Sequence, residues 1–179
     1  INTIVLDEFD KSLEIGFENE MAEIVESLPN VQQRILTSAT DQAQTPSFVG
    51  LQKPITINYL QDGVAQLSVK TLLSNEKDKL DALEKALAFI GHQPGIIFCN
   101  FKDALERLSD FLNDNHIAHQ SYHGGMEQID RERALIKFRN GTNQLLLATD
   151  LAARGLDIPE IKFILHYHLP LHKKEFIHR

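Results

Sequence analysis

Short apolar runs alternate with amphipathic segments along most of the chain. The short runs predict strands at 3–6, 34–38, 96–99, 119–122, 144–148 and 162–167. Apolar residues that recur every three or four positions predict helices at 20–28, 76–90, 103–113 and 127–139. Strands that alternate with helices of roughly 10 to 15 residues form parallel sheets through right-handed crossovers. The predicted fold class is therefore α/β with parallel sheets.

Three of the predicted helices carry one apolar stripe each, which we expect to face a core. The stripes are Met21, Ile24, Val25 and Leu28 in the first helix, Leu80, Leu83, Leu87 and Ile90 in the second, and Leu105, Leu108 and Leu112 in the third. Asn19 is a suitable N-cap for the first helix. The strand at 3–6 is expected to be buried, because its residues are apolar or β-branched.

The alternation weakens where Pro54 and a Gln-Asp-Gly sequence at 61–63 interrupt it. Turn-forming residues outside a periodic pattern indicate a linker. We therefore predict two domains, at 1–57 and 67–179, joined by a linker at 58–66. A length of 179 residues suits one ordinary domain or two small ones.

The formal net charge of −7 argues against a generally basic nucleic-acid binder, but the charge is unevenly distributed. Residues 1–58 hold nine acidic and three basic residues, whereas residues 59–179 hold 16 acidic and 15 basic residues. Any contact with a nucleic acid should therefore be local, made by backbone amides and helix ends, and should lie mainly in the second part.

Composition also limits the compartment. No apolar run approaches the roughly 20 residues needed to cross a bilayer, so we expect a soluble protein without a membrane partner. Cys99 is the only cysteine, which excludes an internal disulfide and fits a reducing compartment such as the cytoplasm. Because Cys99 lies inside a predicted strand, we expect it to be a small buried apolar group.

Three carboxylates, those of Asp7, Glu8 and Asp10, follow the strand at 3–6. Ligands of open parallel sheets bind outside the carboxyl ends of the strands. Clustered carboxylates repel one another unless a cation or a donor lies among them, and Mg²⁺ prefers one or two carboxylates with water and phosphate oxygens. The pattern predicts a magnesium site for phosphoryl transfer. The alternative is that the acids lie on an exposed loop and help to start the following helix.

Six short sequences carry a resemblance to a known family. They are VLDEFD at 5–10, LTSAT at 36–40, IIFCN at 96–100, a Q-x-x-R element at 128–131, LLLATDLAARGLDIPEI at 145–161 and FIHR at 176–179. In this order they resemble motifs II, III and IV, the Q-x-x-R element, motif V and the opening of motif VI of the DEAD-box ATP-dependent RNA helicases. By this resemblance the chain is identified as a fragment of such a helicase, from motif II to the start of motif VI.

The resemblance implies two RecA-like parallel-sheet domains, the first only partly present and the second nearly complete. It also implies that ATP and single-stranded RNA bind across the cleft between them, with Mg²⁺ at the nucleotide. The RNA contacts would be made to the backbone with little sequence specificity, and the parent protein would act as a monomer. The chain has Phe9 where the family name requires Ala, which concerns local packing more than the chemistry.

By resemblance, Asp7 holds Mg²⁺ through a water molecule, and Glu8 orients the water that attacks the phosphate. Phosphoryl transfer needs positioning and charge neutralisation, which such carboxylates supply. Asp10 is implied to bond toward Ser38 and Thr40, which would link the nucleotide site to closure of the two domains. The alternative for Ser38 and Thr40 is simple turn capping.

The resemblance places residues of motifs V and VI in the same nucleotide site. Gly155 and Asp157 would approach the ribose of ATP, and Arg154 would bridge the cleft. His178 would contact the Ser-Ala-Thr segment. The alternative for Asp157 is a turn before Ile158.

RNA contacts are implied for Gly124, Gly125, Gln128, Arg131, Thr149 and Asp150. Glycine lets a backbone approach a phosphate, and a helix N-terminus supplies free N–H groups. Gln128 and Arg131 are three residues apart, so both side chains can lie on one face of a helix. The alternative for Arg131 is an ion pair with Glu127 within the helix.

Three functions are compatible with these residues. The protein is either a helicase, a non-catalytic RNA-binding scaffold derived from one, or a related DNA helicase. The 179 residues contain no GxxxxGK[ST] phosphate loop and end before the arginines that the family uses on the γ-phosphate, so we expect the chain alone not to hydrolyse ATP.

Zinc at His166, His168 and His172 is a weaker alternative, because neither a cysteine nor a further acid completes the ligand set.

Overall fold

The computed structural model describes residues 1–38, 45–59, 67–74, 78–149, 158, 160–170 and 176. The chain divides into two compact units, Ile1–Val69 and Lys70–Arg179. The predicted linker at 58–66 lies mostly outside the described residues, and the predicted domain boundaries stay a prediction. Among the helices of the described residues, none has the length and apolar composition needed to span a membrane.

The described residues of the first unit form two parallel strands and three helical segments. In chain order these are β1 (Thr3–Leu6), α1 (Phe9–Ile15), α2 (Glu18–Glu26), β2 (Gln33–Leu36) and a 3₁₀ turn at Ser47–Val49. β1 and β2 pair in register, with Leu6 opposite Leu36 at the end where both strands finish. Among its described side chains, the buried apolar ones are those of Phe9, Val25, Val31 and Val49.

Burial in the first unit is lower than the sequence predicts. β1 is not buried, because exposed and half-buried residues alternate along it and Val5 is 56% exposed. The physical reason is that β1 and β2 pair only with each other among the described residues. The stripe predicted for the first helix is confirmed at Val25, which α2 buries, and is wrong at Ile24, which is 56% exposed. Asn19 lies inside α2, whose N-cap is Phe17.

In the second unit, the described residues form a four-stranded parallel sheet with helices on both sides. Its elements are α3 (Leu80–Ile90), β3 (Gly95–Cys99), α4 (Lys102–Asp114), β4 (His119–Tyr122), α5 (Gln128–Arg139), β5 (Leu145–Thr149) and β6 (Phe163–His166). The strand order is β4-β5-β3-β6, and every neighbouring pair is parallel. The predicted α/β class with parallel sheets is therefore confirmed.

Successive residues of β3 enter two different apolar clusters. Ile97 and Cys99 join the cluster that contains the buried leucines of α3 and α4. Ile96 and Phe98 join the cluster that contains Phe138 of α5. Because side chains of a strand point alternately to opposite faces, α3 and α4 cover one side of the sheet and α5 covers the other. Cys99 is fully buried, as predicted.

Most elements of the second unit begin and end within one or two residues of their predicted bounds. The exception is the helix predicted at 76–90, which begins at Leu80. Asp78 Oδ1 accepts the backbone N–H of Leu80 at 3.2 Å, and a local bond of this kind competes with a helical turn.

Gly95, the first residue of β3, allows a close approach between two strands. It lies opposite Phe163 of β6 in the parallel register. A Cβ atom at position 95 would overlap the ring of Phe163. The absence of a side chain at this position therefore permits β3 and β6 to pair.

Candidate functional site

The backbone turns sharply at the carboxyl end of β1. Glu8 has φ 47° and ψ 41°, a left-handed conformation that residues other than glycine rarely adopt. The Glu8 carbonyl accepts the backbone N–H groups of Lys11 at 3.0 Å and of Ser12 at 3.1 Å, which are in the first turns of α1. Asp7 and Glu8 therefore occupy a fixed turn between the strand and the helix.

Thr37, the residue after β2, ties this turn to the second strand. Its backbone N–H donates to the Leu6 carbonyl at 3.1 Å, and its carbonyl accepts the N–H of Phe9 at 3.0 Å. Its hydroxyl donates to the Asp7 carboxylate and accepts the N–H of Glu8 at 3.3 Å. Thr37 thus contacts both acids for which the sequence predicts a catalytic role: it orients the carboxylate of Asp7 and supports the backbone of Glu8.

No role is predicted for Thr37 from the sequence, although the residue lies in the LTSAT sequence at 36–40. In the parallel register Leu6 lies opposite Leu36, so the residues that follow, Asp7 and Thr37, are neighbours at the same edge of the sheet. A hydroxyl directly after one strand, with a carboxylate directly after its neighbour, is a suitable donor and acceptor pair.

The three acids after β1 differ in exposure. Asp7 is exposed, Glu8 is half-buried, and Asp10 is buried with 6% of its surface accessible. Within the part of the chain that the structure describes, no group of three or more His, Cys, Asp or Glu side chains is placed to hold a metal ion. The exposed Asp7 carboxylate, oriented by Thr37, fits a Mg²⁺ that binds one or two carboxylates and completes its shell with water and phosphate oxygens.

Several predicted site residues lie outside the described residues. They are Thr40, Asp150, Arg154, Gly155, Asp157 and His178, together with His172 of the zinc alternative. Ser38 is described and is exposed. Its predicted contact with Asp10 stays a prediction.

The loop after β4 lies at the edge of the second sheet where the parallel strands end. Gly124 is exposed, and a Cβ atom built on it meets no described atom within 4 Å, so a ligand can approach its backbone closely. Gly125 donates its backbone N–H to Nδ1 of His123 at 3.2 Å. Because this bond occupies the Gly125 amide, Gly124 is the more accessible of the two glycines predicted to contact RNA.

His123 is buried beneath this loop, where its charged form is disfavoured. Burial, followed by the positive charge of Lys102, holds its pKa below the usual value of 6.5, although Glu106 acts in the opposite direction. A neutral imidazole leaves Nδ1 free to accept the Gly125 N–H. The lowered pKa and the hydrogen bond therefore both favour the neutral form of the His123 ring.

Gln128 and Arg131 lie on one face of α5. The Arg131 guanidinium donates to Gln128 Oε1 at 2.7 Å, and the Gln128 amide donates to Glu132 at 2.9 Å. Among the described residues, Arg131 forms no ion pair with Glu127, and its Nε is buried without a hydrogen-bond partner. Thr149, the last residue of β5, is half-buried at the same edge of the sheet as Gly124.

The two described histidines of the zinc alternative take part in packing. His166 stacks on Phe98 with a distance of 5.9 Å between ring centroids. His168 Nδ1 accepts the backbone N–H of Asn100 at 3.5 Å. These contacts give both rings a structural role that needs no metal.

Comparison with known proteins identifies relatives over the whole chain. Residues 78–179 match the family model described as "Helicase conserved C-terminal domain". The chain is 32% identical to the ATP-dependent RNA helicase DbpA of Escherichia coli (strain K12), with 100% of this chain and 40% of that protein covered. It is 31% identical to the DEAD-box ATP-dependent RNA helicase 35 of Arabidopsis thaliana, with 98% of this chain and 30% of that protein covered.

The fold is similar to that of Dbp5 from S. cerevisiae bound to RNA and ADP BeF3. The TM-score is 0.71 and the identity is 24%, with 100% of this chain and 49% of that chain covered. The chain thus spans less than half the length of these relatives. Because the family model matches more than half of the chain, the protein belongs to the helicases with this conserved C-terminal domain, and its predicted membership of the DEAD-box family is confirmed.

Proposed function

We propose that the chain is part of an ATP-dependent RNA helicase, which couples binding and hydrolysis of Mg-ATP to the unwinding or remodelling of RNA. The observation that carries the proposal is the turn after β1. There two acids, Asp7 and Glu8, follow a parallel strand, and Thr37 holds the carboxylate of Asp7 and the backbone of Glu8. The substrate classes are supported by the names of the relatives, which are ATP-dependent RNA helicases.

The two acids are proposed to have different roles. Asp7 would hold Mg²⁺ through a water molecule, since its carboxylate is exposed and fixed by Thr37. Glu8 would orient the attacking water, since its backbone is held by the first turns of α1. The ion, when bound, neutralises charge on the phosphates. Neither role requires a covalent bond between substrate and protein.

RNA binding is proposed for the second unit. The accessible backbone of Gly124 and the side chains of Arg131 and Thr149 lie where parallel sheets bind ligands. Contacts of this kind reach phosphates and sugars and carry little sequence information, which explains how an acidic chain can bind RNA. RNA contacts of Gly125, Gln128 and Asp150 are also proposed, on the family resemblance alone.

The remaining parts of the proposal depend on resemblance alone. Arg154, Gly155 and Asp157 would contact ATP, and Asp10, Ser38, Thr40 and His178 would couple nucleotide binding to RNA binding. The protein that contains these residues would act as a monomer in the cytoplasm.

The test is the substitution Glu8→Gln in the complete protein that carries these residues. Hydrolysis of ATP should fall by roughly 10²-fold or more, because the water loses the group that orients it. Affinity for ATP, measured by calorimetry, should stay close to the wild-type value. Glu20→Gln, an exposed acid of α2, is the matched control and should change neither quantity.

The outcomes separate the competing functions. Loss of ATP binding in Glu8→Gln, or unchanged hydrolysis, would remove Glu8 from its proposed role. A wild-type protein that binds RNA but not ATP would favour the non-catalytic scaffold.

A further inference from the structure

An aromatic ring projects into solvent beside the proposed RNA site. Phe101 follows β3 by two residues and is 63% exposed. It lies at the edge of the sheet where the strands end, the same edge that carries Gly124 after β4. The proposed contacts to the RNA backbone do not explain why a large aromatic side chain is exposed at this edge.

The backbone and surroundings of Phe101 are well anchored. Asn100 donates its backbone N–H to His168 Nδ1 at 3.5 Å and its side-chain amide to the Leu169 carbonyl at 3.0 Å. The Phe101 carbonyl accepts the N–H of Leu105 at 3.1 Å in the first turn of α4. The Phe101 ring meets the His168 ring edge to face, with centroids 6.3 Å apart. The ring is therefore supported from one side and accessible from the other.

Lys102 connects this ring to the glycine loop. Its Cε atom lies 3.3 Å from the position that a Cβ atom of Gly125 would take. Its ammonium group pairs with Glu106 at 3.2 Å, and both side chains are about half exposed. Ion pairs this exposed are weak, so Lys102 can exchange Glu106 for a phosphate at little cost. The residue that follows Phe101 in the chain thus brings a cation to the glycine loop.

We propose that Phe101 stacks against a base of single-stranded RNA whose phosphates contact the Gly124 loop and Lys102. The inference rests on the proposed RNA binding and adds to it a contact with a base. Stacking on an aromatic ring accepts any base, since each has a π-face, so it is compatible with binding that does not read sequence. The adjacent cation favours a polyanionic strand over an apolar protein partner.

The experiment uses the fact that the chain contains no tryptophan. Phe101→Trp introduces a single fluorophore at the proposed contact. Addition of an oligouridylate at low salt should quench its emission, while the anisotropy of a labelled oligomer reports binding independently. Phe89→Trp is the matched control, because Phe89 of α3 is 82% exposed but is not at this edge of the sheet, and its emission should not change.

A second pair of measurements separates stacking from a structural effect. Phe101→Ala should lower the affinity for oligouridylate by about fivefold to 150-fold, the range found when a base loses its aromatic partner. Affinity for an abasic oligomer with the same number of phosphates should be unchanged by the substitution.

Each contrary result has a distinct meaning. If the anisotropy rises while the emission of the Phe101→Trp variant stays constant, or if Phe101→Ala weakens both oligomers equally, stacking is overturned while RNA binding stands. If the wild-type chain binds neither oligomer, the proposed RNA-binding function fails, and the stacking contact fails with it.

Discussion

The hydroxyl of Thr37 performs two tasks that an apolar side chain cannot perform. It donates to the Asp7 carboxylate and accepts the N–H of Glu8 at 3.3 Å, which uses its proton and one of its two lone pairs. Without these bonds the exposed Asp7 carboxylate would be free to change rotamer. The left-handed backbone of Glu8 would also lose one of its supports.

We expect Thr37→Val to weaken binding of Mg-ATP without changing the fold. Valine has nearly the same shape, and losing a hydrogen bond of this kind costs about 0.5 to 1.5 kcal/mol. In the complete protein the dissociation constant of Mg-ATP should rise about twofold to tenfold by calorimetry, whereas the affinity for ATP in EDTA should not change. Thr37→Ser keeps the hydroxyl and should restore the wild-type value. Normal Mg-ATP affinity in the valine variant would contradict the orienting role of Thr37.

His123 should make the stability of the second unit depend on pH. Its pKa lies below 6.5 when folded, so between the two pKa values the unfolded chain binds more protons than the folded chain. The free energy of unfolding should therefore rise as the pH increases toward 6.5, and fall on acidification through that range. His123→Gln keeps an acceptor for the Gly125 amide and should flatten this dependence in urea denaturation. Equal slopes in the His123→Gln variant and in the wild type would refute the prediction.

At the scale of elements, the periodicity of apolar residues is a better predictor of long helices with one buried face than of short helices. α4 has 13 residues, and its three predicted leucines are fully buried. α1 has seven residues, too few to repeat an apolar stripe, and it follows directly after charged residues that are typical of a loop. The sequence therefore predicts α4 correctly and does not reveal α1.

The candidate site was predictable in part for a related reason. Residue type and order are enough to identify Asp7 and Glu8, because both follow one strand. Thr37 lies 30 residues from Asp7 along the chain, and the contact depends on the register of two strands, which the motif alone does not specify. The bond that occupies the Gly125 amide depends on the conformation of a loop, and the sequence contains no signal for it.

Pairing of β3 with β6 should depend on the missing side chain of Gly95. Gly95→Ala would place a methyl group that overlaps the ring of Phe163. Overpacking of this kind costs about 1 to 3 kcal/mol of unfolding free energy. Urea denaturation followed by circular dichroism measures the loss. The double variant Gly95→Ala/Phe163→Leu removes the overlapping ring and should recover part of the stability. If the single variant is as stable as the wild type, the close approach seen at this position is wrong.

On the scale of the whole molecule, the two units differ in how their strands are supported. β3 and β5 each have neighbours on both sides, whereas β1 and β2 have only each other among the described residues. The second unit also buries two apolar clusters, one on each face of its sheet. Opening of a strand with one partner breaks fewer hydrogen bonds and exposes less apolar surface, so it needs less free energy.

Hydrogen exchange should therefore differ between the strands of the two units. Backbone amides of β1 and β2 should exchange faster than those of β3 and β5, when followed by mass spectrometry at neutral pH. β4 and β6, which lie at the edges of the second sheet, are the internal controls and should show intermediate protection. β4 and β6 are edge strands of the better supported unit. If they exchange as fast as β1, the position at the edge of a sheet explains the fast exchange of β1, and the difference between the units does not. Equal protection of β1 and β3 would mean that the first sheet is stabilised by more than the pairing described here.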